Sequence, residues 1–463
     1  MNAERLIAWV EKNRFGIPTG VSIALFLAFI RSAAELFLFS SPSTLADGLL
    51  TFSFLMTFWV TTFLGGILIL SHFSRAGRRT CFNVTTIGFA LILIPIFIDA
   101  HGGYTSTFLT ISKPRIAMGV LVELPIIFSL ASAYVFIKTK SIARALGTLA
   151  SLTIFGAILG APPHPIFMKY SVYDFLVYYI FLGSIVAYLV FFREARGTFR
   201  PMRGAHFLLM VFIGVLIAGN VSPALALALV VAAAVWHYST LVNDSCDYEI
   251  DKDLGKRRPL VTGELMGEDY KRAIYVSLAI SMVGSLALGV EPFLIVLASL
   301  VLGYLYSTPP VRLKRFIFGS AVVGLGSLLM FTLGLTVTSG LYLRPLSLYE
   351  LKIGLIIFAT FSVAPMTLDL KDWAGDQKHG VSTIYSRLGF VRGKKVVTAL
   401  LFLLFLSPLL IIPGIIELLV LMGAGALACA AFYLKERIDL LFLIYFATLI
   451  FIITALVLSQ KVP

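Results

Sequence analysis

The chain has 463 residues, 59% of them hydrophobic and only 13% charged, with a mean hydropathy of +0.95. That balance excludes a soluble globular protein, and the lack of strand-like alternation excludes a membrane barrel. The net charge of +13 does not require nucleic acid, because the basic residues fall in every second loop and so orient a membrane protein.

Apolar stretches of spanning length recur from end to end, for example 52–70, 116–136 and 440–458. About 20 such residues cross a bilayer. Fifteen spans are predicted, six over residues 16–192 and nine over 205–458. The charged start (Arg5, Lys12, Arg14) leads into an apolar stretch long enough to span, so no cleavable signal peptide is expected. Cys81, Cys246 and Cys429 are scattered without metal-ligand spacing, which argues against a disulfide framework or a zinc site.

Residues 1–192 read as an N-terminal membrane domain of about six spans, to which the sequence assigns no function. Arg31 and Glu35 lie four apart on one helical face and are expected to pair inside the membrane. Glu123 is a further acid in the fourth span, and His164, among prolines 162, 163 and 165, reads as solvated or capping. Residues 193–204, with four arginines, two glycines and a proline, read as a basic cytoplasmic linker before the second domain, 205–463.

Basic residues cluster at the N-terminus, near 75–79, 138–144, 193–203, 252–258, 312–315, 387–395 and 435–437. This alternation places the N-terminus in the cytoplasm and the C-terminus outside.

Two acidic clusters then fall on the cytoplasmic side. The first runs Asn243-Asp244-Ser245-Cys246-Asp247-Tyr248-Glu249-Ile250-Asp251, and the second runs Asp369-Leu370-Lys371-Asp372-Trp373-Ala374-Gly375-Asp376. Acids near hydrocarbon cost roughly 2.5–3.5 kcal/mol each, so two clusters imply a task. On a helix beginning near Pro223, positions 243, 247 and 251 share one face, with Asp244 beside it; 369, 372 and 376 share another. Carboxylates so crowded take up protons or bind a cation. Magnesium suits an oxygen-only set completed by substrate phosphates, and a transition metal would ask for His or Cys at ligand spacing. Arg257 and Arg258 after the first cluster, and Arg312, Lys314 and Arg315 in a later loop, supply cations for a diphosphate.

These residues resemble a family, the UbiA-type membrane prenyltransferases, over about residues 200–460. Asn243, Asp244, Asp247 and Asp251 match its N-D-x-x-D-x-x-x-D signature, and Arg258-Pro259-Leu260 with Gly263 matches its R-P-[LI]-x-x-G segment. Tyr306-Ser307 with Pro310, Arg312 and Lys314 resembles its Y-[ST]-x-x-P-x-R-x-K stretch. Asp372 and Asp376, followed by Gly380, Ser382 and Thr383, resemble its second motif. The chain departs from the family at Leu254-Gly255-Lys256, often N-x-P, and at Ile384-Tyr385, often Leu-Pro. Its first span in this domain also lacks the asparagine common in the archaeal ether-lipid branch.

The resemblance implies a nine-helix bundle, preceded here by about six further membrane helices. It implies magnesium-dependent transfer of a polyprenyl group from an allylic isoprenyl diphosphate to a membrane-soluble lipid or quinone-precursor acceptor. Asp244, Asp247, Asp251, Asp372 and Asp376 are then the expected metal ligands. Asn243, Arg257, Arg258, Arg312 and Lys314 are expected to hold the diphosphate. Asp247, Asp372 and Tyr306 are the expected catalytic residues, and Tyr306 and Tyr304 the expected lining of the pocket. A related branch transfers phosphoribose to a polyprenyl phosphate with similar aspartates. A cation- or proton-coupled transporter is the alternative from another class, and midplane carboxylates would favour it.

Overall fold

A computed structural model supplies the architecture and describes residues 3–12, 16–39, 42–96, 118–160, 172–192, 198, 200–219, 222–337, 345–378 and 380–458. Every regular element among them is a helix. The chain is an all-α polytopic membrane protein: 14 helices are long and apolar enough to cross a membrane, and a further apolar helix, Gly204–Ala218, is shorter. The chain forms two compact units, Met1–Arg193 and Glu194–Pro463. Large apolar side chains such as Phe26 (63% exposed) and Leu443 (65%) stand on outer faces, where hydrocarbon rather than water meets them.

In the first unit, a short amphipathic helix α1 (Ala3–Lys12) precedes α2 (Ile17–Phe39), α3 (Leu45–Phe73), α4 (Arg78–Phe89), α5 (Met118–Thr139), α6 (Ile142–Gly160) and α7 (Val172–Phe192). Helix α3 starts where Thr44 accepts the Asp47 N–H at 3.1 Å, with Asp47 itself suited to the positive end of the helix dipole. Its buried face carries Phe54 and Phe58, each 5.3 Å from the Tyr179 ring of α7. The pairing expected in α2 is present: Arg31 Nε donates to Glu35 Oε1 at 2.5 Å. Arg31 Nη1 also donates to the Ile92 carbonyl at 2.7 Å, and its guanidinium lies 4.9 Å from the Trp59 ring centre. Glu123 is buried in α5, and His164 lies outside the described residues.

The second unit contains α8 (Pro201–Ala218), α9 (Ala224–Cys246), α10 (Tyr248–Asp253), α11 (Pro259–Thr262), α12 (Gly267–Leu288), α13 (Val290–Ser307), α14 (Gly319–Val337), α15 (Leu348–Lys378), α16 (Ile384–Leu388), α17 (Phe390–Leu406), α18 (Ile415–Tyr433) and α19 (Ile438–Leu458). Helix α8 begins inside the stretch expected to be linker, because Pro201 at its first position is already fixed in φ and needs no N–H partner. Just before it, Thr198 is bonded to the buried His237 of α9 at 2.7 Å. Helices α8 and α14 meet backbone to backbone: a Cβ on Gly214 would lie 2.3 Å from the Phe331 carbonyl oxygen, and one on Gly334 2.1 Å from that of Val211. Small residues of this kind let membrane helices approach without a hydrophobic drive. Helix α15 carries Pro365 in its interior, so the Phe361 carbonyl loses its usual i+4 donor. Thr383 and Ser386 form a reciprocal capping box on α16, which buries Tyr385 against Phe390 and Gly393.

Candidate active site

The first acidic cluster is set by a shallow break between two helices. Helix α9 ends at Cys246, and Asp247 (φ −100°, ψ 7°) caps it while leading into α10. The hydrogen-bond ladder nevertheless continues, from Asp247 N–H to the Asn243 carbonyl at 3.0 Å and from Asp251 N–H to the Asp247 carbonyl at 2.8 Å. The spacing of four therefore holds, and Asn243, Asp247 and Asp251 all line one cavity of about 460 Å³.

Opposite them comes the segment after α13. Arg312, held at φ +41° in the left-handed region, donates from Nη2 to Asp247 Oδ1 at 2.6 Å. Lys314 donates to Asp247 Oδ2 and, at 2.8 Å, to Asn243 Oδ1, which also accepts from Ser307 Oγ at 3.1 Å. Burial pulls the Lys314 ammonium below the ordinary lysine range, and the neighbouring Asp247 carboxylate opposes that shift. Asp251, 4% exposed, faces Lys256 Nζ and Arg258 Nε, each at 3.4 Å. The loop bearing Ser382 and Thr383 is tied to this wall by the Ser382 N–H, which donates to the Arg315 carbonyl at 2.9 Å.

Away from these charges the cavity turns apolar and aromatic, with Phe207, Trp236, Phe361 and Phe446 in its wall. His206 stacks on Phe361 with ring centres 4.9 Å apart, and Phe207 leans on Trp236 at 5.2 Å. Tyr306, near the end of α13, lines the cavity together with Gly303 of the same helix and Arg312 of the segment that follows.

Several expected residues sit elsewhere. Arg257 is exposed and does not line the cavity; a tight turn, closed by the Arg258 N–H on the Lys256 carbonyl at 3.0 Å, has Lys256 and Arg258 facing Asp251 instead. Tyr304 is 48% exposed and points away, since two residues on a helix are about 200° apart. Asp244 is buried but does not line the cavity; its Oδ1 accepts from Arg200 Nη2, and Arg200 does line it. Asp369 lines the cavity from α15. Asp372 and Asp376 lie on α15, and their side chains are outside the described residues. Sequence singles out neither Arg200 nor the individual aromatic residues of the wall as site residues. Only the position of Arg200 directly before the helix-starting Pro201 distinguishes it from the other linker arginines.

The donors around the polar end are amide and carboxylate oxygens, which suit a hard divalent cation such as magnesium. Among the described residues, no three His, Cys, Asp or Glu side chains are grouped to hold a metal ion, and Asp247 and Asp251 are engaged by the facing cations. The fit is thus one of donor chemistry and charge.

A helical membrane protein with a charged pocket end opening onto an aromatic interior is the class these features define. The UbiA prenyltransferase family model matches residues 207–441, just over half of the chain, and the chain belongs to that family. Digeranylgeranylglyceryl phosphate synthase of Sulfolobus acidocaldarius is 29% identical over 181 residues, 38% of this chain and 63% of the relative. Homogentisate phytyltransferase of Synechocystis is 27% identical over 165 residues, 33% of this chain and 51% of the relative. The chain thus spans less than two thirds of the length of these relatives. A solved UbiA homolog from Archaeoglobus fulgidus bound to DMAPP and Mg2+ is 19% identical with a TM-score of 0.45, over 56% of this chain and 96% of that one. A UbiA homolog from Aeropyrum pernix in its apo form gives 18% and 0.45, over 56% and 99%.

Proposed function

We propose that this chain transfers a polyprenyl group from an allylic isoprenyl diphosphate to a membrane-soluble acceptor, a lipid or a quinone precursor. The observation that carries the reading is the single cavity joining Asn243, Asp247, Asp251, Arg312 and Lys314 at one end to Phe207, Trp236 and Phe361 at the other. Such a cavity matches a substrate with an anionic head and an apolar tail. Family membership supports the reaction class. The relatives' names span a glyceryl phosphate lipid and homogentisate, which keeps both acceptor classes within the proposal.

In this reading Lys314, Arg312, Lys256 and Arg258 exchange their carboxylate partners for the diphosphate oxygens as the substrate enters. Asp247, Asp251, Asp372 and Asp376, with Asn243, would hold magnesium, which when bound would add to the neutralisation of the departing diphosphate. Asp244 is left to position Arg200. As the bond from the allylic carbon to the diphosphate oxygen breaks, the cationic side chains bear the charge developing on the leaving group. Tyr306 and the aromatic wall keep water from the allylic cation until the acceptor attacks. By the loop charges, this polar end faces the cytoplasm.

The test incubates purified protein with magnesium, geranylgeranyl diphosphate and a native membrane extract, and seeks prenylated products by mass spectrometry. Wild type runs beside Asp247→Ala and Asp372→Ala. A product that needs magnesium and both aspartates is expected, and its mass identifies the acceptor. Intact diphosphate after trials with other chain lengths would overturn prenyl transfer in favour of phosphoribosyl transfer or transport.

A further inference from the structure

The first unit has a cavity of its own, of about 330 Å³, lined by Ser74, Arg75, Lys138, Thr139, Ser141 and Arg144. We propose that it is a phosphate-binding site that holds the headgroup of an anionic lipid. This does not rest on the reaction proposed for the second unit.

The lining contains three cations and three hydroxyl side chains but no carboxylate. Glu11 touches the edge of the site, accepting from Lys138 Nζ at 2.8 Å and from Tyr134 at 3.0 Å. Among the described residues neither Arg75 nor Arg144 has a carboxylate partner. Arg144 Nη1 donates to the Phe73 carbonyl at 3.2 Å, which ties the two lining loops together and leaves the rest of its planar fork for another acceptor. Two positively charged groups with no carboxylate partner among the described residues, on one concave surface, call for an anion, and a fork-shaped donor suits phosphate oxygens.

Local bonds hold this surface in shape. Ser74 Oγ accepts the Ala76 N–H at 3.2 Å, Thr139 Oγ1 accepts that of Ser141 at 3.3 Å, and Ser141 Oγ accepts that of Arg144 at 3.4 Å. Arg75 sits at φ +55° and Lys140 at φ +54°, a left-handed conformation unfavourable for a side-chain-bearing residue. Of the five non-glycine residues at positive φ among the described residues, Arg200 and Arg312 line the cavity of the second unit, and Arg75 lines this one. The positive-inside rule explains basic residues at a membrane face; it does not explain their convergence on a preformed hollow.

Location selects the ligand. The two loops join the ends of α3 and α4 and of α5 and α6, four spanning helices, so the cavity lies at the level of lipid headgroups. Helix α1 lies at the same end through its Glu11 contacts and leaves Trp9 55% exposed, as an interfacial anchor does. Basic pockets between membrane helices at that depth recognise anionic headgroups.

The experiment measures binding of a short-chain fluorescent phosphatidic acid to the full chain in nonionic detergent, by anisotropy. Arg75→Gln, at an exposed position, and Arg75→Gln/Lys138→Gln are expected to weaken binding by at least about tenfold. Arg79→Gln, which is not part of the lining, and Lys271→Gln, on an exposed face of the second unit, are expected to leave it unchanged. Displacement by unlabelled phosphatidic acid but not by inorganic phosphate identifies a lipid headgroup; displacement by both identifies the phosphate group itself. Equal displacement by phosphatidylcholine, unchanged affinity in the Arg75 and Lys138 variants, or an equal loss in Lys271→Gln would overturn the proposal.

Discussion

Arg312 Nη2 lies 2.6 Å from Asp247 Oδ1, joining the segment after α13 to the junction of α9 and α10. Lys314 completes the arrangement on the other carboxylate oxygen, so one aspartate holds two cations that a diphosphate could take. Asp247→Ala removes their shared counter-charge. We expect prenyl transfer to fall at least about 100-fold. Stability should fall by roughly 1–3 kcal/mol, less than for a fully buried pair because Asp247 keeps 16% exposure. Product formation and thermal unfolding of the same preparations check both expectations, and full activity would remove Asp247 from the site.

Lys314 gives a pH dependence with opposite signs for activity and stability. Its folded pKa is lowered, chiefly by burial. If turnover needs the ammonium, activity falls as pH rises through that folded pKa, below the ordinary lysine range. Between the folded and unfolded values the unfolded chain binds more protons, so stability rises with pH over the same window. Lys314→Arg keeps its charge through that window and should lose the alkaline limb of the rate profile. A pH–rate series on both proteins decides it: identical limbs would assign the titration to another group.

The periodicity of the first cluster was legible because a helix turns 100° per residue, and a ladder that continues through Asp247 keeps Asn243, Asp247 and Asp251 on one side. The spanning segments were legible for an equally simple reason, since the bilayer fixes length and polarity together. What sequence could not supply was local direction. Arg257 and Arg258 are adjacent and chemically alike, yet the tight turn at 256–258 has Arg258 facing Asp251 and Arg257 exposed. Tyr304 and Tyr306 separate likewise around their helix. Arg200 was hidden among linker arginines because its partner, Asp244, is 44 residues away and buried.

The Arg31–Glu35 pair makes a prediction independent of any reaction. Arg31 is 1% exposed and is held by Glu35, the Ile92 carbonyl and the Trp59 face. Replacing it alone takes the Arg31 guanidinium from beside the buried Glu35 carboxylate. We expect Arg31→Met to destabilise the first unit by roughly 3–5 kcal/mol and Arg31→Met/Glu35→Leu to recover most of that loss. Thermal unfolding in detergent of the two single variants and the double gives the coupling directly. Additive losses would mean that the two side chains do not act as a pair.

Arg200 can be tested so that its two contacts come apart. Its guanidinium lines the reaction cavity and also donates to Asp244, whose other carboxylate oxygen is buried without a hydrogen-bond partner among the described residues. Arg200→Gln should therefore lower stability, by stranding Asp244, and raise KM for the prenyl diphosphate, by removing a cation from the cavity. Adding Asp244→Asn removes the stranded charge and should restore the unfolding temperature. If Arg200 contacts substrate, KM stays high in the double variant; if it only neutralises Asp244, KM returns with stability. We expect the first pattern, because the guanidinium borders the same cavity as Lys314 and Arg258.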